Sequence, residues 1–118
     1  MEPTKLDPTM LRQIRAVQGS DEPDFVSTLI DTFVASSSGE LDTLRQALQT
    51  GDVATFRRAA HGLKGSSYGI GALQLAHLCE ALEADEHTPL AAQAEAHLGR
   101  IEAEYARLKV ALERERRG

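Results

Sequence analysis

His61 and Lys64 stand one helical turn apart, and Gly65 follows directly, within the stretch "AAHGLKGSSYGIG" at 59–71. On a helix, residues three and four apart are surface neighbours, so an imidazole, an ammonium and a bare backbone would share one side. At roughly 100° per residue, the inward side centres between Phe56 and Ala60, and His61 falls roughly 110° away from it. Arg57, Lys64, Gly65 and Tyr68 lie on the histidine's side of the same helix. An exposed imidazole, ordinarily with a pKa near 6.5, is substantially neutral at cell pH and keeps a lone pair for nucleophilic attack. The cations Arg57 and Lys64 would favour a phosphoryl group on that nitrogen, and the other nitrogen needs an acceptor to fix the tautomer.

The glycines sharpen this picture. A glycine inside a helix costs about 1 kcal/mol relative to alanine, and both Gly62 and Gly65 interrupt an otherwise helical stretch. Gly65 lies one turn beyond His61, where a missing side chain leaves room for a group on the ring nitrogen or for a partner's active site.

The elements that would position these residues are helices. Asp7 and Pro8 start a short first helix carrying Leu11, Ile14 and Val17, which Gly19 stops. A second helix is capped within "SDEPDF" and carries Phe25, Val26, Leu29, Ile30, Phe33 and Val34 as an apolar stripe. The stripe resumes at Leu41, Leu44 and Leu48, which favours one long helix over a break at "SSSG", 36–39. "TGD" at 50–52 ends it and caps a third helix, about 52–68, with Val53, Phe56, Ala60, Leu63 and Ser67 inward. "GIG" at 69–71 turns the chain into a fourth helix with Leu75, Leu78, Cys79 and Leu82 inward. "DEHTP" at 85–89 separates that from a fifth, about 90–115, with Leu98, Ile101, Tyr105, Leu108 and Leu112. Short connections make successive helices antiparallel, which predicts an all-α, up-and-down four-helix bundle with the short N-terminal helix packed over one end.

Composition agrees and excludes several function classes. The 118 residues suit one domain, 1–118, and the apolar content is Leu and Ala rather than aromatic, at 4%. With 18 acidic against 13 basic residues the net charge is −5, which lacks the field that draws a protein to nucleic acid. The terminal "RERRG" is locally basic, but Glu113 and Glu115 alternate with its arginines, as on a solvated helix end. No run approaches the roughly 20 apolar residues of a membrane span, and "MEPTKLDPTM" lacks the regions of a signal peptide. One cysteine, Cys79, excludes an internal disulfide and fits a reducing compartment, so the expected location is cytoplasmic.

Other reactive residue types have plainer explanations. His77, His87 and His97 lack ligand partners at metal spacing, so each reads as structural or solvated. Cys79 occupies a core position as a small hydrophobe. Ser66 and Ser67 have neither a triad acid nor the Gly-x-Ser-x-Gly elbow after a strand that hydrolase chemistry would use.

The segment "AHGLKGSSYGIGALQLAHLCEALE", Ala60 to Glu83, resembles the signature of histidine-containing phosphotransfer (HPt) domains of bacterial multistep phosphorelays. The resemblance rests on the histidine, the lysine three on, the glycine four on, Ser66 and Ser67, Gly71 with Ala72, and Leu-x-x-Leu-Cys-x-x-Leu-Glu from Leu75. It extends weakly over nearly the whole chain, through "LDPTMLRQIRAVQGSDEPDFVSTLIDTFV". By position it implies His61 as phospho-acceptor, Lys64 as electrostatic aid and Gly65 as the clearing for a docking receiver domain. It also implies Glu83 as holder of the other imidazole nitrogen, and Glu83 falls beside the Cys79 and Leu82 face, turned toward the third helix. Gly62 departs from the family pattern, in which a side chain usually follows the histidine, and Tyr68 stands where a small residue is common.

The resemblance implies a phosphorelay carrier. A phosphoryl group would pass from a receiver-domain aspartate to His61 and on to another receiver, with a hybrid sensor histidine kinase upstream. No glycine-rich nucleotide loop is present, so no ATP chemistry of its own is expected. The domain would need no cofactor; Mg²⁺ belongs in the receiver's acidic site. A monomer is implied, with neither nucleic-acid binding nor membrane insertion. Two alternatives remain: the phospho-accepting domain of a chemotaxis-type kinase, which the "GSS" stretch and the Leu-Cys run fit less well, and a non-catalytic helical adaptor.

Overall fold

The computed structural model describes residues 4–19, 24–84 and 90–117, with backbone alone for 83, 84 and 90–93. Five helices run in order: α1, Thr9–Val17; α2, Phe25–Thr50; α3, Val53–Ile70; α4, Leu73–Ala84; α5, Leu90–Arg117. α2 packs on α3 and α5, and α4 packs on the same two, which closes a ring of four. α1 lies across α2 and reaches the end of α5 through Arg12, paired with Glu115 at 2.9 Å.

Helix ends follow local chemistry. Asp24 caps α2, its carboxylate accepting from the Ser27 amide at 3.1 Å, and Asp52 caps α3 through the Thr55 amide at 3.1 Å. Both acids are held below the usual carboxylate range, chiefly by the hydroxyls of Ser27 and Thr55. Gly51 and Gly71 end α2 and α3 in the left-handed conformation, with φ of 74° and 86°. Asp7 accepts from Thr9 rather than from a residue deeper in α1, so that helix begins one residue later than Pro8 at its first position would require.

α2 passes through "SSSG" without a break. Ser37 is buried, its hydroxyl donates to the Phe33 carbonyl at 2.6 Å, and it sits 2.8 Å from the Tyr105 hydroxyl of α5. The hydroxyls that favour a break in isolation are instead satisfied along and across the bundle. The core is a continuous set of Leu, Ile, Phe and Ala, with Leu11, Ile30, Leu44, Leu63, Leu75, Leu98 and Leu108 fully buried.

Three sequence expectations are corrected. Phe25 and Leu29 belong to the expected inward stripe of α2 but are 45% and 36% exposed, and Val53 is exposed at the start of α3. Phe25 and Val53 sit in the first turns of their helices, and Leu29 lines an open groove beside Met10 of α1 and Ile70 of α3. α3 also continues two residues past Tyr68, so Gly71 alone makes the turn. The "DEHTP" separation and His87 lie outside the described residues.

The N-terminal arm crosses that turn. Leu6 and Ala72 form an antiparallel bridge, the Leu73 amide donates to the Lys5 carbonyl at 3.0 Å, and Thr4 bonds the carboxylate of Glu104. Glu104 is 2% exposed and also takes the half-buried Arg107 guanidinium at 3.0 Å, an ion pair that sequence reasoning missed.

Candidate functional site

α3 is anchored by one side and presents the other. Phe56, Ala59, Ala60, Leu63, Ser67 and Ile70 are buried. His61 is exposed, on the side of the helix away from Leu63, as two residues of helical rotation dictate. Lys64 and Arg57 are half-buried, and Gly65 is exposed one turn beyond the histidine. A Cβ built on Gly65 meets nothing within 4 Å, so the space beside His61 is open. The structure thus brings His61, Lys64 and Gly65 to one surface, as the spacing predicts. Glu83 lies in the last turn of α4, and its side chain lies outside the described residues.

The two flanks of the histidine differ. Toward α4, Tyr68 donates its hydroxyl to Glu80 Oε1 at 2.8 Å, and the ring of His77 stands edge-on to it with centroids 6.1 Å apart. Glu80 pushes the Tyr68 phenol above its ordinary range by accepting that proton in a hydrogen bond. Toward α2 the surface is nearly bare. Gly62, Gly65 and Gly69 recur at helical spacing, and a Cβ on Gly69 would also meet nothing within 4 Å. A groove of about 220 Å³ continues this flank between Ser66, Gly69 and Ile70 of α3, Leu29, Thr32, Phe33 and Ser36 of α2, and Met10 of α1.

Gly62 has a neighbour where the other two have none. A Cβ there would stand 3.2 Å from Oε1 and 3.4 Å from Cδ of Glu40, so the α2 carboxyl lies against the α3 backbone beside the histidine. Glu40 Oε2 is buried and accepts no hydrogen bond. Burial pushes this carboxyl above the usual carboxylate range. Sequence reasoning missed Glu40; the signal available was Gly62 itself, an unexplained glycine on the helix surface.

Among the described residues, no group of three His, Cys, Asp or Glu side chains could hold a metal ion, and no helix is long and apolar enough to cross a membrane. Cys79 is buried, His77 is exposed, and His97 is half-buried in α5.

This arrangement has counterparts among known proteins. The chain is similar to histidine-containing phosphotransfer protein B (HptB) from Pseudomonas aeruginosa PAO1, whose crystal structure superposes with a TM-score of 0.81. The two are 34% identical over 96% of this chain and 95% of that one. Among curated proteins no sequence matches this chain. The Hpt domain family matches residues 28–113, a span that contains α3, α4, the surface histidine and most of α2 and α5. The chain therefore belongs to the Hpt domain family.

Proposed function

We propose that this chain is a phosphorelay carrier in two-component signalling, with His61 as its phospho-accepting group. The observation that carries the reading is the outward His61 at the centre of an open surface, with Lys64 and Gly65 one turn on, inside the span that matches the family. A lone pair of one His61 ring nitrogen attacks the phosphorus of an aspartyl phosphate on a receiver domain. The nitrogen–phosphorus bond forms as the bond from phosphorus to the aspartate oxygen breaks, which restores the receiver's carboxylate. The second ring nitrogen keeps its proton, and Glu83 is the acceptor that orients it and stabilises the positive ring. Lys64 balances the charge of the arriving phosphoryl group, and Gly65 lets the receiver's loops close on the ring.

Transfer to a second receiver reverses these steps. The chain supplies the nucleophile and the receiver supplies Mg²⁺ and the acidic cluster, so the carrier itself needs no cofactor and no ATP site. Its partners are receiver domains, with a hybrid sensor histidine kinase upstream, and it works as a cytoplasmic monomer.

The test is a transfer assay with a panel of receiver domains charged with isotope-labelled phosphate, using wild type and His61→Gln. Label that reaches wild type, survives alkali, is lost in acid and never appears on the variant establishes His61 as the carrier. A folded protein that no receiver charges would make the chain a helical adaptor.

A further inference from the structure

A partner that reaches His61 must also cover Glu40. Protein interfaces of standard size take roughly 800 Å² from each partner, a patch extending roughly 16 Å from its centre. Glu40 leans on Gly62, the residue next to His61, and so lies well inside any such patch. Its Oε2 is already buried with no protein donor on it, and docking would remove what solvent the other oxygen has. A carboxylate enclosed without a counter-charge opposes association, whereas one that meets a cation favours it. Burial is the cause of its raised pKa.

From this geometry we infer that Glu40 is a specificity-determining residue for docking, selecting receiver domains that bring a lysine or arginine against the α2–α3 flank. The inference rests on the phosphotransfer reading above. Discrimination arises from rejection as much as attraction, because a receiver with an apolar or acidic residue there leaves the Glu40 carboxylate buried and unpaired. Gly62 is the residue that makes this possible. A Cβ on it would crowd the carboxyl at 3.2 Å, so the carboxyl would have to shift from where it now lies against the α3 backbone. The helix-weakening glycine after the histidine thus has a role in reading the partner, separate from the clearing at Gly65. Glu40 does not touch the reacting atoms, so its effect belongs in docking and not in the chemical step.

The experiment compares wild type with Glu40→Gln, which keeps the shape and removes the charge. Receiver domains charged with acetyl phosphate and Mg²⁺ serve as donors, and KM and kcat for transfer are measured separately. The expected result is a KM raised about fivefold or more at unchanged kcat with the receivers that charge wild type best, the loss of one charge-assisted contact. The thermal midpoint of the free variant at neutral pH should rise, because an unpaired buried charge is gone; a purely structural carboxylate would give the opposite. An unchanged KM with every receiver that charges wild type would overturn the inference and leave the phosphotransfer reading standing. A lowered midpoint would show the carboxylate satisfied within the bundle and would also overturn it. Failure of every receiver to charge wild type would remove the phosphotransfer reading, and this inference with it.

Discussion

The amide of Asp7 donates to the carbonyl oxygen of Gly71 at 2.8 Å, which closes the N-terminal arm over the turn that sets α4 against α3. Gly71 has a φ of 86°, and a Cβ on it would run into the Asp7 carbonyl. Gly51 has a similar φ, 74°, with nothing within 4 Å. Gly51→Ala should therefore cost about 1 kcal/mol for the left-handed backbone alone. Gly71→Ala should cost roughly 3 kcal/mol or more, since the arm must also detach. Urea unfolding of the two variants measures the difference, and equal losses would mean that the arm contributes nothing.

Gly65→Ala should separate stability from function. Its Cβ meets nothing, so the change strengthens α3 by about 0.5–1 kcal/mol. Transfer from a receiver should nonetheless slow by about tenfold or more, as displacement of a reacting centre by a methyl group's width does. Thermal melting and transfer kinetics on one preparation test both halves. A stabilised variant with full transfer rate would show that no partner needs the space beside His61.

The Tyr105 hydroxyl is enclosed by Ser37 at 2.8 Å, Ser38 at 3.0 Å and the Val34 carbonyl at 3.2 Å, with the Lys109 ammonium 5.1 Å from the ring centre. Tyr105→Phe keeps the ring and removes the hydroxyl that links α5 to Ser37, Ser38 and the Val34 carbonyl of α2, which should cost about 0.5–1.5 kcal/mol. Chemical denaturation reads this loss, and transfer activity at moderate temperature should be unchanged, because the cluster lies on the α2–α5 side of the bundle.

The pH dependence should have two opposed parts. The caps Asp24 and Asp52 are lowered from an ordinary value of 3.8, so their stabilisation is complete above that value and is lost as pH falls through their folded values. Glu40 is raised from 4.5, so its contribution is present below that value and is lost as pH rises through its folded value. Thermal midpoints followed from about pH 3 to about pH 7 should rise less steeply for Asp52→Ala than for wild type, and more steeply at the upper end for Glu40→Gln. A wild-type curve that matches Glu40→Gln throughout would remove the buried-charge argument.

The helices, their order and the outward histidine were legible because each rests on local signals: Asp caps, left-handed glycines and apolar spacing at 3.6 residues. Phe25, Leu29 and Val53 were misplaced for a reason periodicity does not contain, since it fixes a direction around a helix but not whether a neighbour stands there. Glu104 and Glu40 escaped notice because both depend on contacts across the bundle. Glu104 meets Thr4 from the other end of the chain, and Glu40 lies against the backbone of another helix at Gly62. Gly62 was visible as an anomaly, and its meaning required the third dimension. That Lys64 and Gly65 share the surface of His61 follows from helical spacing alone.

α3 divides its residues between two tasks with little overlap: Phe56, Leu63, Ser67 and Ile70 hold it to the bundle, while His61 and Gly65 face outward. Changes on well-separated, non-contacting positions act independently. A duplicated gene for this chain can therefore acquire a new wiring, substitution by substitution, without passing through an unfolded ancestor. Insulation between parallel signalling circuits is then a matter of which few outward residues have drifted, on a chassis that every copy retains.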